Sequence, residues 1–177
     1  MNLPKKYDWL DVSDPDFKSC IDLVFDTNEN LNIIGPAGTG KSEIIHLISN
    51  LLPGNVAICS TTGISASALS SQSIKAVTLH SFLHLPPLSY YSLDMLKIDY
   101  SIKQVIESLD VLVIDEVSML SSHMFDTIFR LLVMYKGSVS KLPRIIMFSD
   151  ILQLPPVVNL TTEVRVAELF RTEYLNR

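Results

Sequence analysis

Residues 35–42 read Gly-Pro-Ala-Gly-Thr-Gly-Lys-Ser, and no other feature constrains the chain as tightly. The segment satisfies G-x-x-x-x-G-K-[ST] without departure. It follows a short apolar run, Leu31 to Ile34, and precedes Ile44, Ile45 and Ile48 at helical spacing. A strand, a glycine-rich turn and a helix start, in that order, make an anion cradle. The glycines let successive backbone N–H groups turn toward phosphate oxygens. The helix start adds partial positive charge aimed at the same point. Gly35, Pro36, Ala37, Gly38, Thr39 and Gly40 form the cradle, Lys41 is placed to reach the β- and γ-phosphates of a nucleoside triphosphate, and Ser42 to ligate Mg²⁺. A chance glycine turn before a helix is the bland alternative, and the flanking strand and helix weigh against it.

The rest of the chain supplies a fold for that loop. Asp14-Pro15 is a helix start, a capping acid followed by proline at the first helical position, with Phe17, Ile21, Val24 and Phe25 recurring behind it. Residues 28–30 break this helix. A second helix runs from Lys41 to about Leu52 and stops at Pro53-Gly54. Residues 56–59 form a second strand and residues 64–69 a short helix. Residues 70–100, with Pro86-Pro87 and several Ser and Tyr, are expected to be mostly loop with short elements. Residues 111–114 are continuously apolar, as a strand covered on both faces must be. A helix follows from Ser122 to about Tyr135, burying Met124, Phe125, Ile128, Leu131 and Leu132. Residues 144–148 give a fourth strand, closed off by Pro155-Pro156. Strands alternating with helices predict a parallel α/β sheet, whose ligands lie beyond the carboxyl ends of the strands.

Three further groups of residues fall at those strand ends. In Leu112-Val113-Ile114-Asp115-Glu116, two acids end an apolar strand. Downstream of a phosphate loop they read as a metal and water site: Asp115 would hold Mg²⁺, and Glu116 would orient or deprotonate the attacking water. Gln153-Leu154-Pro155-Pro156 puts a glutamine after the fourth strand, where it could touch the γ-phosphate. Taken alone this is a polar residue before a turn. Ser60-Thr61-Thr62-Gly63 and Thr78-Leu79-His80-Ser81-Phe82 offer hydroxyls for phosphates and two rings for bases. Taken singly, His80 reads as a packed histidine and Phe82 as core. His46, His84 and His123 keep that bland reading.

Composition narrows the partners. With 47% hydrophobic and 19% charged residues, the 177-residue chain fits one domain with an ordinary core. Its net charge of −5 argues against a protein that coats nucleic acid wholesale, but not against a local groove. Cys20 and Cys59 stand far apart with no histidine at metal-ligand spacing, so both read as buried thiols in a reduced compartment. Lys5 and Lys6 precede no apolar core of a leader, and no run of about 18 apolar residues exists. A cytoplasmic protein with no membrane anchor is the expectation.

These blocks, in this order, resemble the motifs of the Pif-type, RecD-like DNA helicases of superfamily one. The loop at 35–42 is similar to their first motif. Residues 60–69 and 78–82 are similar to their single-strand-DNA motifs. Val113-Ile114-Asp115-Glu116-Val117-Ser118-Met119 is similar to their acidic motif and residues 153–157 to their third. Asp16-Phe17 and Asp26-Thr27-Asn28 are like the lead-in of a bacterial branch. The likeness runs over residues 14–158. It implies a three-layer, RecA-like P-loop NTPase with a mostly parallel central sheet. It implies an ATP- and Mg²⁺-dependent motor that tracks single-stranded DNA 5′ to 3′ and unwinds duplex in repair and recombination. Thr61, Thr62, His80 and Phe82 would face the DNA, and Gln153 the γ-phosphate.

Three departures accompany the resemblance. Ser149-Asp150 stands where the family has Gly-Asp, which predicts a changed turn without lost function. The adenine-reading glutamine ahead of the loop is not evident, and Lys18 lies near its place. The expected layout is one P-loop domain over residues 1–177, the first motor domain, with the arginine-bearing second domain supplied by a longer chain or a partner. Arg171 is read as part of the segment trailing the third motif. The leading reading is therefore the ATPase motor domain of a DNA helicase, weak on DNA by itself. A stand-alone or truncated nucleotide-binding regulatory module is the alternative. A small-molecule kinase ranks last, because Asp115-Glu116 suits water activation and few arginines are present to build a lid.

Overall fold

The computed structural model describes residues 13–71, 74–86, 96–150 and 152–153. Five strands are present among them: β1 (Leu31–Ile34), β2 (Val56–Ser60), β3 (Ala76–Thr78), β4 (Val111–Asp115) and β5 (Arg144–Ser149). All pair in parallel, in the order β1-β5-β4-β2-β3. Six α-helices connect and cover them: α1 (Pro15–Asp26), α2 (Lys41–Leu51), α3 (Gly63–Leu69), α4 (Leu79–Phe82), α5 (Tyr100–Glu107) and α6 (Ser122–Lys136).

The alternation of side chains along β4 shows why this is a three-layer arrangement. Leu112 and Ile114 point into one apolar cluster with Leu79, Ile106, Ile128 and Leu132 from α4, α5 and α6. Val111 and Val113 point to the other face, into a cluster with Val24, Ile44, Ile45 and Ile48 from α1 and α2. A parallel strand covered on both sides must be apolar at every position, and Val111 to Ile114 all are, and all are buried.

Local signals set the helix boundaries. Asp14 Oδ1 accepts from the N–H groups of Asp16 and Phe17, each at 2.9 Å, which satisfies two of the free donors at the start of α1. The far end of α1 is tied to the sheet by Arg144, whose guanidinium donates to the carbonyls of Val24 and Glu29 at 2.7 Å and of Leu23 at 3.2 Å. Ser121 caps α6 through the Met124 N–H, and Gly137 ends it at φ 73°, the left-handed conformation that glycine takes without strain.

Three elements go beyond the detail of the sequence reading. The short elements expected within residues 70–100 are a fifth strand, β3, and the helix α4. The helix α5 carried no prediction. Asp99 caps it through the Ser101 N–H at 2.8 Å. Lys136 of α6 donates to the carbonyls of Glu107 and Leu109 at 2.8 and 2.6 Å, so its closing partners lie about 30 residues downstream. Both cysteines are free, Cys59 is buried, and burial pushes its thiol up to about 12. Among the described residues no helix is long and apolar enough to cross a membrane. Lys5, Lys6, Pro155, Pro156 and Arg171 lie outside the described residues.

Candidate functional site at the carboxyl edge of the sheet

The phosphate loop leaves β1 and enters α2 as its sequence requires. Gly40 is the N-cap of α2 at φ 83°, and a Cβ there would sit 2.8 Å from the Phe17 ring. Both the dihedral and the close approach of α1 therefore demand glycine. Lys41 Nζ donates to the carbonyls of Gly35 and Pro36, which hold it across the mouth of the loop. Ser42, at the second position of α2, is exposed. A cavity of about 610 Å³ opens beside the loop, walled by residues 33–41 in part and by Asp14, Asp16, Phe17 and Cys20 of the α1 segment. The sequence reading missed this wall. Lys18, considered for the adenine-reading place, is not part of it.

Asp115 and Glu116 stand two strands away from the loop, because β5 lies between β1 and β4. Strand spacing of about 4.8 Å puts the two sites about 10 Å apart, room for phosphates, a cation and a water. Burial raises the Asp115 pKa above its ordinary value and the charge of Glu116 adds to this, while the Glu116 N–H and the charge of Lys41 act in the other direction. A partly desolvated carboxylate facing a cationic loop is the kind of donor that a hard divalent ion rewards. Ser42 and Asp115 each carry the kind of oxygen donor that Mg²⁺ takes, one or two from protein with phosphates and water completing the shell. Glu116 has φ 57° and ψ 40°, a left-handed conformation uncommon for a residue with a Cβ. Its carbonyl accepts from Thr61 Oγ1 and its carboxylate Oε2 from Thr62 Oγ1, both at 3.2 Å.

The end of β5 fills the space between these groups. The Gly35 N–H donates to the Ser149 carbonyl at 3.1 Å, so the loop hangs directly from this strand. Ser149 is buried and its hydroxyl donates to Asn32 Oδ1 at 3.3 Å. The turn beyond is closed by Asp150, whose Oδ1 accepts from the Leu152 N–H at 3.0 Å and whose carbonyl accepts from the Gln153 N–H at 3.1 Å. Neither Ser149 nor Asp150 has a positive φ, so the turn makes no demand for glycine. Gln153 is exposed at this edge.

The two Thr-bearing blocks are built alike. Thr62 Oγ1 accepts from the Ser65 N–H at 3.2 Å and starts α3. Thr78 Oγ1 accepts from the Ser81 N–H at 3.1 Å and starts α4. Because Ser60 pairs with Thr78 across β2 and β3, the two hydroxyl-capped turns sit side by side. His80 is half-buried, and desolvation lowers its pKa. Phe82 packs against the apolar cluster beneath. Ile64, which the sequence reading did not single out, is 86% exposed on the first turn of α3.

A parallel sheet that carries a phosphate loop after one strand, paired acids after another, and a third strand end between them is the architecture of a RecA-like P-loop NTPase. Residues 19–162 match the family model described as AAA domain. The chain belongs to that family, as a Pif1-like motor domain of superfamily one. It is 32% identical over 143 residues to the ATP-dependent DNA helicase Pif1 of Campylobacter jejuni, covering 73% of this chain and 30% of that protein. It is 33% identical over 144 residues to the uncharacterized protein 030L of Invertebrate iridescent virus 6, covering 73% of this chain and 26% of that one. Among solved structures, Bacteroides Pif1 bound to single-stranded DNA superposes with a TM-score of 0.75 at 27% identity, over 88% of this chain and 36% of its own. The Bacteroides Pif1 complex with ADP-AlF3 and single-stranded DNA gives 0.74 at 26%, over 96% and 37%. The chain thus spans under a third of the curated relatives it matches.

Proposed function

We propose that this chain binds Mg·ATP on residues 35–42 and hydrolyses it as the first motor domain of a 5′-to-3′ DNA helicase. The observation that carries the reading is the placement of Lys41, Ser42, Asp115, Glu116 and Gln153 on one edge of the sheet. Lys41 would neutralise the β- and γ-phosphates. Ser42 and Asp115 would hold Mg²⁺, which supplies charge neutralisation at the γ-phosphate when bound. Glu116 would take a proton from the attacking water, and Gln153 would contact the γ-phosphate. The Thr61–Thr62 turn, His80 and the exposed Ile64 would meet single-stranded DNA, with Phe82 packed beneath as support. The likeness to a solved Bacteroides Pif1 helicase in complex with ADP-AlF3 and single-stranded DNA supports a domain that meets both ligands. A second motor lobe, in a longer chain or a partner, would supply the arginine that such phosphoryl transfer uses, worth about 10³–10⁵ in rate. We place the protein in the cytoplasm.

The experiment is a titration with a fluorescent ATP analogue in the presence of Mg²⁺. Lys41→Ala is expected to weaken binding about 10- to 100-fold, the loss of charge-assisted hydrogen bonds to phosphate. Equal affinity in parent and variant would remove the phosphate loop from the mechanism. DNA gives a second expected result. An oligothymidylate should bind weakly, and more weakly as salt rises, since a surface of net charge −5 offers only local attraction. Affinity that does not respond to salt would exclude phosphate contacts at the Thr62 and Thr78 turns.

A further inference from the structure

The cavity beside the phosphate loop has a chemically one-sided lining. With the phosphates on the loop, the base of the same nucleotide would fall against α1. Phe17 of that helix lies on the helix start that ends the loop, since a Cβ at Gly40 would sit 2.8 Å from its ring. An aromatic face stacks on any base and selects none. Selection is left to the polar side chains around it.

Three of these are carboxylates: Asp14, Asp16 and Glu43. Three side chains of the lining can donate, and two of them are committed. Thr39 Oγ1 donates to the Pro36 carbonyl at 2.9 Å, and Lys41 Nζ to the carbonyls of Gly35 and Pro36. The third is the Cys20 thiol, a weak donor. Burial raises its pKa, and the charges of Asp16 and Asp14 add to this, so both acids act on the thiol across the same wall. Asp14 is occupied as the cap of α1, its Oδ1 accepting from two N–H groups. Asp16, exposed on the first turn of α1, has no capping duty. Adenine presents an amino group beside ring nitrogens that accept, so it needs a donor next to an acceptor. Guanine presents N1–H and its 2-amino group side by side, and one carboxylate takes both with its two oxygens.

We propose that Asp16 sets the base preference of this site and that GTP enters it at least as tightly as ATP, guanine being held through N1–H and its 2-amino group. The inference rests on the proposed function and deepens it: the loop anchors the triphosphate, and the α1 segment chooses the base.

The test uses the 177-residue chain with Mg²⁺ and a fluorescent ATP analogue, displaced in turn by ATP, GTP, ITP and inorganic triphosphate. GTP is expected to displace the analogue at the same concentration as ATP or at one up to about ten-fold lower, the range for hydrogen bonds to a charged group. ITP keeps N1–H but lacks the 2-amino group, and should compete about three- to ten-fold less well than GTP. Asp16→Asn puts a donor in place of one carboxylate oxygen. Its ratio of GTP to ATP affinity should fall about ten-fold. Inorganic triphosphate, which has no base, should bind the variant as it binds the parent, whereas a merely structural role would move all four competitors together. ATP binding the parent more tightly than GTP overturns the proposal, as does an unchanged ratio in a folded Asp16→Asn. If that variant does not fold, the parent decides, since ITP that matches GTP also overturns it. A parent chain that binds neither the analogue nor inorganic triphosphate fails the phosphate-loop reading instead, so the two failures are distinct.

Discussion

Glu116→Gln is expected to hydrolyse ATP about 10²–10⁴-fold more slowly than the parent while binding nucleotide as tightly, the range over which a positioned general base contributes. The amide has nearly the shape of the carboxylate and accepts the same hydrogen bond from Thr62, so the fold around it is kept. It cannot accept a proton from water at neutral pH. The groups that would hold the nucleotide, Lys41, Ser42 and Asp115, are untouched. Phosphate release in a single turnover and a parallel nucleotide titration measure the two quantities separately. A variant that turns over at the parent rate would move the proton acceptor elsewhere, with Asp115 the next group to examine. A variant that loses binding and rate together would show that Glu116 helps to hold the nucleotide.

Phe148→Ala is expected to destabilise the chain by about 3–5 kcal/mol, as truncation of a buried aromatic does. Phe148 is 0% exposed and packs with Ile44, Ile45 and Ile146 under α2. It lies on β5, one residue before the Ser149 carbonyl that anchors the phosphate loop. The loss would be a large part of the roughly 5–15 kcal/mol that keeps such a domain folded. Urea unfolding reads it directly. Phe148→Leu, closer in volume, should cost less than about 1.5 kcal/mol if the strand can repack. Mg·ATP should return part of the lost stability by binding only the folded form. A change under about 1 kcal/mol for the alanine would mean that the α2 face carries less of the stability than its packing indicates.

What could be read in advance follows a physical divide. The phosphate loop, α1, α2, α6 and the strands β1, β2, β4 and β5 are announced by local signals: glycine spacing, caps, helical periodicity and unbroken apolar runs. β3 is three residues long, Ala76 to Thr78, too short for alternation or an apolar run to register. α5 buries chiefly Ile106 and closes on Lys136 and Tyr135, partners on α6. Its stability is tertiary, so its own eight residues carried little of it. In the site, the residues were legible by type and order. Their relations were not. That Phe17 presses on Gly40, and that Thr62 grips Glu116 across 54 positions, follow from strand order. The left-handed backbone of Glu116 has no sequence signal, since nothing in Asp-Glu-Val asks for it.

The order of strands also has a consequence for how the molecule comes into being. β1 pairs with β5 alone among the described residues, in a register that joins Leu31 to Ile146, a separation of 146 − 31 = 115 positions. During synthesis β1 and the phosphate loop emerge early and wait. At about 5–20 residues per second, Arg144 to Ser149 follow several seconds or more later. Until then β1 is an unpaired strand with exposed amides, the kind of edge that invites wrong partners. Closing so long a loop is also slow. The part of the chain proposed to grip phosphate is thus the part assembled last, so a nascent or nicked chain that ends before β5 has every residue of the phosphate loop and lacks the strand from which that loop hangs.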